Sequence, residues 1–243
     1  IDPSRKDQIQ ILRPDWDIPG VDAGFTLRTG GVSQPPYDSL NLAMHVGDDP
    51  DDVRENRRRL VEHAGLPEEP RWLKQVHGNR VIHASEVERD VTEADAVWTD
   101  QPGQVCAVMV ADCVPILLAA KDGSCVAAIH AGWRGLAAGV IEETVRALPV
   151  APSQLAAVIG PCVGPSAYTV DNEVIRELQF ANAHPVFTDG CLNLGATARK
   201  QLDRMGILKG GTLSNVCTFL NFRYYFSYRK VTKTGRATGF IRV

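Results

Sequence analysis

Two apolar runs, Val114–Ala120 and Cys125–His130, joined by Lys121-Asp122-Gly123-Ser124, constrain this chain more than any other feature. Asp-Gly is the preferred centre of a two-residue type I′ hairpin turn, so the runs are predicted to pair as antiparallel strands. If Asp122 and Gly123 form the loop, Lys121 faces Ser124, and the register continues until residue 115 faces residue 130. Side chains alternate with period two, which puts Cys113, Pro115 and His130 on one face. Cys113 and His130 then stand as diagonal neighbours, roughly 7–8 Å apart at the backbone. A thiol and an imidazole converge at the open end of the hairpin.

The runs are apolar at nearly every position, as expected for strands covered on both faces. Val105–Val110 and Leu155–Ile159 read the same way, and further strands are predicted at Leu213–Cys217, Tyr224–Tyr228 and Ala237–Val243. Helical spacing marks Asp52–Ala64, ending at Gly65 with Arg57-Arg58-Arg59 on its wet side, and also Leu136–Leu148, Asn172–Phe180 and Leu194–Met205. Strands first in hairpins and then mixed with helices imply an α/β (α+β) fold, a single domain of layered mixed β-sheets flanked by helices. No G-x-G-x-x-G follows a strand, which argues against a dinucleotide site. Residues 1–19 read as an N-terminal segment, its start without an initiator Met being either partly foreign or a trimmed end, and 20–243 as the catalytic domain.

Composition narrows the function classes. With 44% hydrophobic and 23% charged residues the chain is globular, and a formal net charge of −3 argues against nucleic-acid or membrane-surface binding. The apolar runs are strand-sized, far below the roughly 20 residues of a membrane span, and Ile1 to Arg13 is too polar for a signal peptide. Six cysteines at irregular spacing, without a C-x-x-C pair, read as mostly buried, unbridged thiols of a cytoplasmic protein.

Three chemistries fit the Cys113–His130 pair: a nucleophile with its base, two zinc ligands, or an unrelated buried thiol and imidazole. Asp112, in an otherwise apolar stretch, is a carboxylate in need of a partner. His130-Ala-Gly-Trp-Arg134-Gly reads as a strand-to-helix turn whose N–H groups suit an anion. Gln75-Val-His77-Gly adds a second histidine beside a glycine, and Arg28–Gly47, dense in Gly and Pro, reads as a site loop carrying Asn41 and His45. Arg28, Arg134 and Arg229, in or next to loop motifs, are candidates to hold an anion, since arginine's rigid fork matches oxyanions; Arg236 is a further one. Trp133 is a candidate aromatic face of the site and Cys162 a candidate to approach it, whereas His63, His83 and His184 read as surface or structural residues.

Six motifs occur in order: Arg28-Thr-Gly-Gly-Val-Ser with Pro-Tyr-Asp-Ser-Leu-Asn-Leu, Gln75-Val-His-Gly, Ala-Asp112-Cys-Val-Pro, His130-Ala-Gly-Trp-Arg-Gly, Gly160-Pro-Cys-Val-Gly-Pro and Phe226-Ser-Tyr-Arg. Each is weak alone; together, over residues 20–243, the chain resembles the bacterial laccase-domain, polyphenol-oxidase-like family, now regarded as purine nucleoside phosphorylases. The resemblance implies layered mixed sheets with outer helices, and metal ligands at His77, Cys113 and His130, with Asp112, Cys113 and His130 as catalytic residues. It further implies zinc (with copper possible), purine nucleosides and phosphate as substrates, adenosine deamination as a second activity, and a homodimer. Departures from the family pattern, such as Thr169, Asn193 and Lys230, touch none of these ligands. Two other activities compete: a copper-dependent polyphenol oxidase, for which six histidines are too few to build a laccase's full copper set, and a Cys–His hydrolase editing peptidoglycan precursors.

Overall fold

In the computed structural model, which describes residues 7–209 and 216–243, twelve strands and five helices make four layers. The strands are β1 (Ile11–Leu12), β2 (Asp22–Thr26), β3 (Val81–His83), β4 (Ala96–Thr99), β5 (Val105–Val110), β6 (Val114–Ala120), β7 (Val126–Ala131), β8 (Leu155–Ile159), β9 (Phe187–Thr188), β10 (Cys191–Leu192), β11 (Leu208–Lys209) and β12 (Ala237–Arg242). The helices are α1 (Pro50–Ala64), α2 (Trp133–Ala138), α3 (Val140–Ala147), α4 (Asn172–Phe180) and α5 (Leu194–Arg204). A four-stranded sheet runs β1-β2-β12-β5 and a six-stranded sheet runs β11-β8-β6-β7-β4-β3, with a β9-β10 ribbon beside them. Both parallel and antiparallel pairs occur in the larger sheet, so it is mixed.

Period-two alternation places each apolar strand in two cores at once. Leu117 and Ala119 of β6, with Val126 and Ala128 of β7, face the smaller sheet and meet Phe25, Cys106, Val108 and Ile241. Ile116 and Leu118, with Ala127 and Ile129, face the other way and pack under Leu136, Val140, Ile141, Ala198 and Leu202 of the helices. A third core joins the outer face of the smaller sheet, through Ala107, Met109 and Phe240, to Leu60 and Ala64 of α1. This two-sided burial is why β5, β6, β7 and β8 carry almost no polar residue.

The hairpin register is the predicted one: Pro115 pairs with His130, Ile116 with Ile129 and Ala119 with Val126. Several local expectations are corrected. The helix expected over Leu136–Leu148 is two helices, because Gly139 at φ +81° ends α2 and opens α3. The segment expected as a strand at Tyr224–Tyr228 is a run of turns; Tyr225 and Phe226 are buried, and the Tyr224 carbonyl accepts the Arg28 N–H. The strand expected at Leu213–Cys217 lies largely outside the described residues, of which Cys217 bridges to Cys162. Arg57 is not on the wet side of its helix: it is buried over Trp72, donating to Asp90 at 2.6 and 2.7 Å and to the Leu42 carbonyl at 2.9 Å. All six cysteines are free thiols, and no helix among the described residues is long and apolar enough to cross a membrane. Within the N-terminal segment, β1 pairs with β2 and Ile9 is buried.

The hairpin turn is locked from outside. Gly123 has φ +76°, and a Cβ there would lie 2.1 Å from the Pro19 carbonyl oxygen. Left-handed backbone alone costs a non-glycine residue roughly 1–2 kcal/mol, and a chain of this size loses about 2–4 °C of Tm per kcal/mol. Gly123→Ala is therefore expected to lower the melting temperature by at least about 2–8 °C, measured by differential scanning calorimetry. An unchanged Tm would show that the turn is not held as described.

Candidate metal centre

At the open end of the β6–β7 hairpin, His130 leaves β7 just before α2, and Cys113 sits in the bend just before β6. The third member, His77, lies on a loop with φ +61°, a conformation that disfavours most side chains. One buried carboxylate holds that loop. Asp95, with no solvent exposure, accepts the His77 N–H at 2.9 Å, the Gly78 N–H at 2.7 Å and the Val76 N–H at 3.3 Å. The same carboxylate lies 2.8 Å from His130 Nδ1. Successive N–H groups converging on one anion form a nest, here with a protein carboxylate inside it.

The ligand atoms of His77, Cys113 and His130 all lie within 4.8 Å of one another, and the two imidazoles meet edge to face at 4.8 Å. That is the scale of a zinc tetrahedron, whose ligand atoms are roughly 3.5 Å apart given 2.0–2.3 Å bonds. Gly132 completes the corner: a Cβ there would stand 3.1 Å from Cys113 Sγ and 3.2 Å from His77 Cδ2. With Nδ1 engaged by Asp95, His130 offers its other nitrogen, and a carboxylate behind a ligating imidazole is the usual outer partner at metal sites. The triad grades from exposed His77 through half-buried Cys113 to buried His130, so its open side faces the cleft. A borderline-soft cation suits this donor set.

The electrostatics agree. Burial opposes charge on Cys113, but the His130 charge and hydrogen bonds from His130 and His77 outweigh it and draw the thiol below its ordinary range. Burial likewise disfavours a charged His130, yet Cys113 and Asp95 together push its imidazole up. Burial also opposes ionisation of Asp95, which the His130 ring and the backbone N–H groups still hold low. Cys106, in the sandwich core, is pushed up by burial and is inert.

The cleft above the triad encloses about 400 Å³ and is lined on its rim by His45, Trp133, Arg134, Tyr168, Arg229 and Arg236. Arg134 lies over the Trp133 ring at 4.3 Å and Arg229 over Tyr168 at 4.3 Å. Partial burial, then the charge of Arg236, lowers the pKa of His45. Two sequence candidates lie elsewhere. Asn41 is wholly buried, accepts the Arg236 N–H at 2.9 Å and donates to Asp48 at 2.9 Å, so it reaches the cleft only through Arg236. Arg28 lines a separate hollow, paired with Asp38 at 3.1 Å and donating to the Asp38 and Phe222 carbonyls. Asp112 has found its partners, the Thr218 hydroxyl at 2.6 Å and the Arg229 N–H at 2.7 Å. Cys162 is half-buried and does not line the cleft. Sequence reasoning missed Asp95, although a lone carboxylate in Ala94-Asp95-Ala96-Val97 carries the same signal as Asp112.

The family model described as multi-copper polyphenol oxidoreductase laccase matches residues 22–243. The chain belongs to this family. It is 43% identical over 241 residues to the purine nucleoside phosphorylase YfiH of Escherichia coli, covering 96% of this chain and 98% of that protein. It is 44% identical over 236 residues to the purine nucleoside phosphorylase PA4543 of Pseudomonas aeruginosa, covering 93% and 95%. Among solved structures it resembles protein NMB0706 of Neisseria meningitidis, with a TM-score of 0.84 at 39% identity over 96% of this chain and 98% of that one. YlmD from Geobacillus stearothermophilus also superimposes, with a TM-score of 0.84 at 33% identity over 93% and 92%. The layered mixed-sheet fold is that of these relatives.

Two outcomes follow from the geometry. Asp95→Asn removes the charge behind His130, and zinc affinity is expected to fall 10–100-fold in competition with a chromophoric chelator; unchanged affinity would detach Asp95 from the site. In metal-stripped protein, Cys113 is expected to remain alkylatable well below the ordinary thiol pKa of about 8.5, losing reactivity only at lower pH, while Cys106 stays unmodified. Mass spectrometry of iodoacetamide-treated samples across a pH series checks both residues.

Proposed function

We propose that this chain is a zinc-dependent purine nucleoside phosphorylase acting on adenosine, inosine and methylthioadenosine, with adenosine deamination as a second activity. The observation that carries this reading is the three-ligand corner of His77, Cys113 and His130 opening onto a cleft rimmed by arginines. Catalytic zinc sites keep three protein ligands and one open position, and zinc there supplies a Lewis acid. The relatives' names support the substrate class.

The residues have separable tasks. Asp95 orients His130 and shapes the His77 loop, which holds the ligand set in place before substrate arrives. The cleft falls within the roughly 300–1,000 Å³ typical of small-ligand sites, and Trp133, Tyr168 and Tyr228, each with a guanidinium over its ring, line it where a purine would sit. Phosphorolysis forms a bond from a phosphate oxygen to the ribose C1′ as the C1′–N9 bond breaks, and the electron pair leaves with the base. Arg134, Arg229 and Arg236 supply positive charge for that anion. The Arg229 and Arg236 guanidiniums donate to backbone carbonyls of Thr169, Thr234 and Gly235 rather than to carboxylates, so their charge stays available. Deamination replaces the purine amino group by oxygen from water and releases ammonia. Six histidines fall short of a multicopper set, which counts against laccase chemistry, while the single three-ligand corner takes either zinc or one copper.

The test combines metal content with turnover. Protein purified without added metal is analysed for zinc and copper, then incubated with adenosine in the presence and absence of phosphate. About one zinc per chain, with adenine and ribose 1-phosphate appearing only with phosphate and inosine appearing without it, is the expected result. His77→Ala is expected to lose metal and turnover together. A metal-free protein that leaves nucleosides untouched overturns the reading, as does oxygen consumption on phenols in proportion to bound copper. Amide hydrolysis that survives both a chelator and His77→Ala points instead to a Cys113–His130 hydrolase.

A further inference from the structure

Asp112 stands beside Cys113 on the lining of the cleft, yet both its oxygens are taken up by hydrogen bonds. It is 5% exposed and has φ +91°, a conformation few non-glycine residues adopt. One oxygen accepts the Thr218 hydroxyl at 2.6 Å; the other accepts the backbone N–H of Arg229 at 2.7 Å. The Asp112 carbonyl also accepts the Val163 N–H at 2.9 Å. A carboxylate so spent is a poor proton carrier and a good joint: it fastens two distant loops, at Thr218 and Arg229, to the residue that precedes the thiol ligand.

The joint determines where Arg229 goes. With its backbone fixed by Asp112, its side chain lies over the Tyr168 ring and donates to the Thr169 carbonyl at 2.9 Å, on the wall of the cleft. Arg236 lies on the same wall with its guanidinium half-buried; burial lowers its pKa, and the negative charge of Cys113 and Asp112 offsets that in part. The result is a pair of guanidiniums held beside the metal-ligating side chains, an arrangement that fits a tetrahedral oxyanion.

We propose that Asp112 is a positioning residue, which holds Arg229 so that phosphate binds in the cleft beside the His77–Cys113–His130 corner. This inference rests on the phosphorylase reading for its ligand, and inorganic phosphate is the probe.

Phosphate binding to zinc-loaded protein is measured by isothermal titration calorimetry, alongside zinc content and, where turnover occurs, KM for phosphate and for adenosine separately. Asp112→Asn retains a residue that tolerates positive φ but loses the charge and one acceptor. It is expected to weaken phosphate at least tenfold, in Kd and in KM, while zinc content and KM for adenosine stay within twofold. Arg229→Ala is expected to weaken phosphate similarly, and the double variant to be no worse than Arg229→Ala alone, because both act through one group. Should Asp112→Asn fold poorly, Thr218→Val removes one anchor and is expected to give a smaller loss of the same kind. Unchanged phosphate affinity in the variants, additive losses in the double variant, or zinc lost in step with phosphate overturns the proposal. Wild-type protein that binds no phosphate overturns it too. Phosphate binding that depends on Asp112 without phosphorolysis retains the subsite and counts against the phosphorylase reading.

Discussion

A single carboxylate with no exposure to water, Asp95, is what gathers two imidazoles at a sheet end into a corner that could hold a metal. It takes three backbone N–H groups from one loop and faces an imidazole from a neighbouring strand. A buried charge left without partners costs about 3–5 kcal/mol, so the loop and the imidazole are bound to it as firmly as it is to them. The left-handed His77 backbone persists because those N–H groups are all committed. With His77 and His130 thus placed, Cys113 is brought to them by the hairpin register up to Val114 and by the bend at Asp112 that precedes it.

The register was legible because three independent local rules agree. The Asp-Gly turn sets the loop, alternation sets the face, and two-sided burial forbids slippage by one residue. Pro115 opposite His130 is their joint consequence. Legibility ended where long-range packing decides. Helical spacing sets Arg57 on the stripe of Val53, Leu60 and Ala64, apart from Arg58 and Arg59, which pair with Glu55. Only the tertiary fold supplies the Trp72 ring and Asp90 carboxylate that let Arg57 be buried there. Gly139 reads equally well as a tolerated glycine in one helix or as the αL hinge between two. Tyr224–Tyr228 has strand composition, yet Tyr225 and Phe226 are buried in a turn segment, Phe226 under Arg28, instead of joining a ladder.

The site residues divide along the same line. Of the candidate metal-binding residues, Cys113 and His130, with Asp112, lie on or beside strands whose ends are determined by periodicity, whereas His77 lies on a loop that Asp95 holds. Arg28 and Asn41 were chosen for lying in a Gly-rich loop, but loop membership does not fix which way a side chain turns. Arg28 turns to Asp38, and Asn41 turns inward to bind the Arg236 backbone and Asp48. Asn41 therefore bears on the cleft at one remove, by holding the residue that lines it. Asp95 carried a readable signal, a lone charge among alanines and valines, and its role emerges once one asks where a buried carboxylate finds donors.

The family's description speaks of multicopper oxidation, whereas the relatives are named phosphorylases, and the coordination sphere bears on that divergence. One thiolate and two imidazoles at the mouth of a cleft form one open site, and among the described residues no second group of three or more His, Cys, Asp or Glu residues is gathered closely enough to hold a further ion. Electron transfer through several coppers needs several such sets, whereas Lewis-acid chemistry needs one. The arginines argue in the same direction. Positive charge held over Tyr168 and Tyr228, satisfied by backbone carbonyls and not by carboxylates, does little for a neutral phenol and much for an oxyanion. Held on the wall of a cleft by backbone carbonyls, these guanidiniums keep their positive charge available to an anionic ligand.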